Sequence, residues 1–416
     1  MAIIQKLSHG IAWRVRRVKR GCKRKVRGVF ARCYKYYTRK KLYPSVYRKN
    51  AKRPVDEKKI VFLEVRMPQL TDSFRLIYDK LEKEYDYKLV FHSLGDGLQN
   101  RTAVRKNSLA ALKDLADAKY IFLSDSCALT GCLEMRPETK VIQVWHACGA
   151  FKKFGFSTAE KIFGASKEEL LKYPIHRNFS MVTVSSPEVA WAYAEAFHME
   201  DRMDAIVPAG VSRTDVFYDP KRIEQAKEKL HRVMPESKGK KVILYAPTFR
   251  GRVAKAKSPD ELDLALMQKT LGDEYVMVCK HHPFVKKRPE IPEEYSSFAK
   301  DVTEEMEIDE LLMSADICIS DYSSLIFEYS LFERPMIFFA YDLEDYFDWR
   351  GFYYNYDELT PGPVVSTTEE ILDYITHLDE RFDRSQVAAF KEKFMSACDG
   401  HATERILQMA GIERRS

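Results

Sequence analysis

Residues 1–55 contain no aspartate and no glutamate, yet they carry 19 of the 68 lysines and arginines. The rest of the chain holds 49 cations against 61 carboxylates and is net −12. A formal charge of +7 thus describes a cationic arm joined to a mildly acidic body, and the two need separate explanations. No uncharged apolar run approaches the roughly 18 residues that span a bilayer, and the N-terminal stretch lacks the apolar core of a signal peptide. The expected location is the cytoplasmic side. The eight cysteines form no C-x-x-C and no paired metal-ligand spacing, which favours reduced thiols over a disulfide framework or a zinc site. Also missing are G-x-x-x-x-G-K-[ST], G-x-G-x-x-G and D-x-D, the nearest to the last being Glu261-Leu262-Asp263. Phosphate charge would have to be met by His, Lys, Arg and helix N-termini; no metal and no cofactor is expected.

From Ile4, apolar side chains recur at Leu7, Ile11, Val15, Val18, Cys22, Val26, Val29, Cys33 and Tyr36. Steps of three and four keep them on one face of a helix whose other faces are mostly Arg and Lys. Such a basic amphipathic helix suits an anionic membrane surface, where each cation near the lipid contributes about 1 kcal/mol. The stripe could instead pack on the protein's own body. A nucleic-acid arm would not need an unbroken apolar stripe, so nucleic acid is not an expected partner.

Beyond residue 59, short apolar strands alternate with helix-length segments: Ile60 to Val65, Lys88 to Phe91, Tyr120 to Leu123, Val141 to Trp145 and Met181 to Val184. A second series begins with Ile206-Val207 and continues through Val242 to Tyr245, Val276 to Cys279, Ile317 to Ile319, Met336 to Ala340 and Val364-Val365. The pattern predicts an α/β chain with two doubly wound, Rossmann-like halves of parallel strands facing a cleft. The expected organisation is a basic segment over 1–55, halves over 56–204 and 205–395, and a C-terminal helix over 396–416. Ligands of such sheets bind outside the carboxyl ends of the strands.

Those ends carry the candidate residues. After Val141 to Trp145 stands His146, an imidazole suited to general-base work on a hydroxyl because its free pKa lies near neutrality. Lys280-His281-His282-Pro283 follows the strand ending at Cys279, and Thr248-Phe249-Arg250 follows the one ending at Tyr245. Asp321-Tyr322-Ser323-Ser324 follows Ile317 to Ile319 and offers two hydroxyls and the free N–H groups of a helix start, a means of holding phosphate. Together these describe a site for an anionic diphosphate. Ordinary helix capping by Ser323 and Ser324 is the plain alternative.

The combination resembles the CDP-glycerol glycerophosphotransferases of bacterial teichoic acid synthesis, which have a GT-B fold. The resemblance rests on Trp145-His146 with Lys152-Lys153-Phe154-Gly155, Ser185-Ser186, the GVSRTD of 210–215, the YAPTFR of 245–250 and the K-x-H-P of 280–283. It continues through the SDYSS of 320–324, Arg334-Pro335, Tyr341-Asp342-Leu343, Arg350-Gly351-Phe352 and Pro361-Gly362-Pro363. It implies that His146 deprotonates an acceptor hydroxyl, with His282 as the family's second histidine. Ser323, Ser324, Lys280, Arg250 and Arg350 would hold the donor diphosphate, and Glu328 and Asp321 the nucleotide or polyol. The implied donor is CDP-glycerol or CDP-ribitol and the implied acceptor a lipid-linked polymer at the cytoplasmic face of the membrane, with a homo-oligomer among the expected forms. Ala147-Cys148 departs from the Gly-Thr frequent in the family at this point. A sugar-nucleotide glycosyltransferase or epimerase, and a binding protein on an inactive transferase scaffold, are the competing readings.

Overall fold

The computed structural model describes residues 28–95, 101–161, 164–251, 256–344, 346 and 351–414. Strands β1 (Asp56–Glu64), β2 (Lys88–Ser93), β3 (Ala118–Leu123), β4 (Lys140–Gln143), β5 (Met181–Thr183) and β6 (Ile206–Val207) form one sheet in the order β2-β1-β3-β4-β5-β6. Strands β7 (Lys241–Tyr245), β8 (Tyr275–Cys279), β9 (Ala299–Asp301), β10 (Ile317–Ser320), β11 (Met336–Phe339) and β12 (Val364–Val365) form the other, ordered β12-β11-β10-β7-β8-β9. Every pairing is parallel. Parallel strands are covered on both faces and so read as continuous apolar runs; Ile60 to Leu63 and Val276 to Val278 have no exposure.

Ile206–Val207, expected to open the second half, instead closes the first sheet, with Val182 beside Ile206. Two residues carry no periodicity, and only the return of the helix Ala190–Phe197 onto the sheet places them. Strand β9 escaped sequence reading because its three residues are Ala-Lys-Asp. At the other end, Ile406, Leu407 and Ala410 of the helix Ala402–Ala410 pack with Ile60 and Phe62 of the first sheet. Tyr120 Oη donates to the Gly411 carbonyl at 2.7 Å, fixing this return.

Both strand orders have a switch point, where successive crossovers depart in opposite directions and leave a crevice at the carboxyl ends. It lies between β1 and β3 in the first sheet and between β7 and β10 in the second.

The described part of the basic arm is helical from residue 28 to 50, with a π-helical turn over Tyr37–Leu42. Its stripe positions Ile4 to Val26 lie outside the described residues. Thr38, Tyr43 and Tyr47 are buried, and the helix Tyr43–Asn50 packs on the helix Arg101–Leu115, so this end of the arm belongs to the first half. Val29, Cys33 and Tyr36 remain exposed together with Phe30, which is 71% exposed. Here the stripe is not used up by packing on the body. No helix among the described residues is long and apolar enough to cross a membrane, and the seven described cysteines are all free.

Candidate active site

At the end of β4 the backbone turns sharply. Trp145 has φ +55, a left-handed conformation that costs an aromatic residue about 1–3 kcal/mol and persists only where the surroundings enforce it. Gln143 enforces it: its fully buried side chain accepts from the Trp145 N–H at 3.0 Å and donates to the Asp125 carbonyl at 3.0 Å. The turn places the His146 ring at the surface, stacked on the Trp145 indole with centroids 4.4 Å apart. His146 Nδ1 lies 2.8 Å from the Ser124 carbonyl just past β3. A carbonyl can only accept, so Nδ1 carries a proton, and in the neutral ring the lone pair is then on Nε2. That is the tautomer a general base needs.

The segment after His146 joins the two halves. Gly149 has φ +61, and a Cβ there would lie 2.4 Å from the Phe327 ring, so only glycine lets the halves approach this closely. The Lys153 N–H donates to the Gly351 carbonyl at 3.1 Å, and Phe151 meets Phe352 edge to face at 5.3 Å. The carboxyl ends of the two sheets therefore meet across this segment.

On the second sheet, His281 and His282 have different environments. His281 is buried, its Nδ1 is 2.8 Å from Ser258 Oγ, and burial lowers its pKa. His282 is half-buried between Phe249 and Phe284, and its Nδ1 accepts from the Phe284 N–H at 3.1 Å. The acceptor role of Nδ1 puts the ring proton on Nε2. The two candidate histidines thus hold opposite tautomers, an acceptor at His146 and a donor at His282.

Several charged candidates serve the scaffold instead. Asp321 is buried and accepts from Thr248 N–H, Thr248 Oγ1, Tyr322 N–H and Arg250. Arg250 also grips Asp342 through two nitrogens and donates to the Thr248 carbonyl. Its guanidinium is thus engaged by Asp321, Asp342 and Thr248 together. Lys280 Nζ donates to the Thr303 and Met306 carbonyls at 2.8 and 2.5 Å, tying down the loop before the helix Ile308–Ser314. Glu328 is buried in an ion pair with Arg213, with Cys148 Sγ at 3.8 Å. All four are thus held by protein partners, as a charge at a strand end beneath the surface must be. Arg350 lies outside the described residues.

What this lattice holds is the turn itself. With Asp321 fixed, Ser323 and Ser324 start the short helix Leu325–Tyr329 at the second switch point, both half-buried. Ser324 makes no side-chain capping bond, and Ser323 Oγ receives only the Leu325 N–H at 3.4 Å. Among the described residues no three His, Cys, Asp or Glu gather as metal ligands.

Sequence reading missed the partners that shape the site: the Ser124 carbonyl, Gln143, Arg213 and Asp342. Arg213 and Asp342 stand inside quoted motifs, which was the available signal. A backbone carbonyl leaves none.

A family model described as CDP-Glycerol:Poly(glycerophosphate) glycerophosphotransferase matches residues 45–410. The chain is 36% identical over 385 residues to the teichoic acid ribitol-phosphate primase of Bacillus spizizenii, covering 92% of this chain and 95% of that protein. It is 37% identical over 360 residues to the teichoic acid ribitol-phosphate polymerase TarK of Staphylococcus aureus, covering 84% and 68%. Among solved structures, the wall teichoic acid polymerase TagF superposes with a TM-score of 0.74 at 24% identity, over 93% of this chain and 95% of that one. At that identity the likeness speaks for the fold, the two doubly wound halves read from the strand pattern in the GT-B-like arrangement that the family resemblance implied.

Proposed function

We infer that His146 and His282 carry the chemistry of a chain that belongs to the CDP-glycerol:poly(glycerophosphate) glycerophosphotransferase family and transfers a polyol phosphate in teichoic acid synthesis. The observation that carries this reading is the pair of opposite tautomers at the facing carboxyl edges of the two sheets. The donor is a CDP-polyol. Its diphosphate lies on the hydroxyls and N–H groups of Ser323 and Ser324, with the Nε2–H of His282 donating to a phosphate oxygen. The Nε2 lone pair of His146 takes the proton of an acceptor hydroxyl. The oxygen attacks the phosphorus that bears the polyol, the bond from that phosphorus to the bridging oxygen breaks, and CMP departs with the electron pair. Positioned proton transfer of this kind contributes about 10²–10⁴-fold.

Two relatives named for ribitol phosphate favour ribitol over glycerol as the polyol. The acceptor is a lipid-linked polymer, and the exposed face of the basic arm docks on an anionic membrane at its cytoplasmic side. The test is CMP release from paired CDP-ribitol and CDP-glycerol on a defined lipid acceptor, followed by sizing of the product. Acceptor-dependent release from CDP-ribitol in preference to CDP-glycerol supports the reading. Release from neither donor overturns it.

A further inference from the structure

A cavity of about 1010 Å³ lies outside the first switch point, between the carboxyl end of β1 and the segment after β3. It is at the upper limit for ligand pockets, which run to about 1,000 Å³. Val65, Met67, Leu94, Val104, Leu129 and Phe284 supply an apolar lining. Four cations also line it, Lys35, Arg39, Arg66 and Arg101, and among the described residues no carboxylate does. Lys35 pairs with Glu169 and Arg66 with Asp125. Arg39 and Arg101 make no ion pair among the described residues. An apolar chamber with a cationic lining and no acid suits an amphiphile whose head is anionic and whose tail is hydrocarbon.

The roof of the chamber is the basic arm. Ala31, Tyr34, Lys35 and Thr38 line it, one helical face at i, i+3, i+4 and i+7. The opposite face presents Val29, Phe30, Cys33, Tyr36 and Tyr37 to solvent. The same helix thus offers one apolar face outward and covers the chamber with the other. The chamber also borders the chemistry: Ser126 lines it two residues from the Ser124 carbonyl that holds His146, and the Phe284 ring lies 4.6 Å from that of His282.

We propose that this cavity binds the acceptor's lipid, with the hydrocarbon chain on the apolar lining and its phosphate at Arg39 and Arg101. The assignment rests on the transferase reading above and adds the place where the lipid enters.

The test compares a long-chain prenyl-diphosphate acceptor with a water-soluble analogue that keeps the same hydroxyl end on a short alkyl group, using the full chain. Val104→Trp should raise the KM for the long-chain acceptor at least tenfold and leave that for the short one and for the CDP-polyol unchanged. Equal shifts for both acceptors, or none, overturn the proposal. A second measurement does not need turnover: a prenyl phosphate carrying a diazirine should label the helix Arg101–Leu115, and label should fall at least fivefold in Val104→Trp and in Arg39→Glu/Arg101→Glu. A prenyl alcohol should lose label only in Val104→Trp. Label that lands elsewhere overturns the proposal. So does label that rises when residues 1–27 are removed, since that names the arm itself as the occupant. If wild-type protein transfers to neither acceptor, the transferase reading fails while the labelling still decides what the cavity holds.

Discussion

At the carboxyl edge of the second sheet, Arg250, Asp321 and Asp342 satisfy one another, whereas at that of the first sheet Arg39 and Arg101 face a cavity lined by no acid among the described residues. The two places have the same topology, a switch point between parallel strands. They differ in where their charge is spent. In the second sheet it is consumed in fixing one turn, the one that carries Ser323 and Ser324. In the first, Lys35 and Arg66 are paired with Glu169 and Asp125, while Arg39 and Arg101 make no ion pair among the described residues. A charged residue at a strand end therefore identifies the edge that matters without saying whether the residue serves the ligand or the backbone.

The largest effect expected from this contrast is at His146. His146→Ala should lower CMP release about 10²–10⁴-fold while CDP-polyol affinity and melting temperature stay near wild type. A full loss of donor affinity, measured by calorimetry, would move His146 to the binding machinery. Next is Arg250→Met, which strands the buried Asp321 beside Asp342 and should destabilise the chain by about 3–5 kcal/mol. Were Arg250 a diphosphate ligand instead, the variant would show a raised donor KM with an unshifted denaturation midpoint, and the comparison would break.

Smaller is an acid sensitivity centred on the first site. His176 packs against Trp145, Phe179 and Phe197, its Nδ1 has no hydrogen-bond partner, and burial pulls its pKa down to about 3. An unfolded chain protonates this ring near pH 6.5. Between about pH 6.5 and 3 the unfolded state binds the extra proton, so stability falls as pH falls, by about 2 kcal/mol at pH 5 from this group. His176→Phe should lose less melting temperature between pH 7 and pH 5 than wild type; an identical loss would assign the sensitivity elsewhere. The smallest effect is expected of Lys280→Met, which frees the Thr303 and Met306 carbonyls and should cost about 1–3 kcal/mol. Its donor KM should stay within about twofold; a rise of tenfold or more would return Lys280 to the diphosphate.

The sequence exposed the parallel architecture because strands covered on both faces must be apolar throughout, as Ile60 to Leu63 and Val276 to Cys279 are. It drew attention to His146, His282, Ser323 and Ser324 because they stand at strand ends, where such a sheet forms its crevice. It misassigned Ile206–Val207, since two residues carry no pattern. It could not show which protein groups hold Asp321, Glu328, Lys280 and Arg250, because a charge looks the same in one dimension whatever distant residue it meets. Arg250 and Asp342 are 92 positions apart, and Arg213 and Glu328 are 115 apart.

The uneven charge also behaved differently at the two levels. That residues 1–55 hold no acid is a property of the chain alone. The alternation of apolar runs likewise determined two doubly wound halves, because burial of a parallel sheet demands it. Only the tertiary structure decided which imidazole nitrogen is bare, since that depends on whether a carbonyl or an N–H lies within about 3 Å of the ring. It alone decided that one face of the arm roofs an apolar chamber while the other faces solvent, because both faces acquire meaning only once β1, β3 and the helix Arg101–Leu115 stand beneath them.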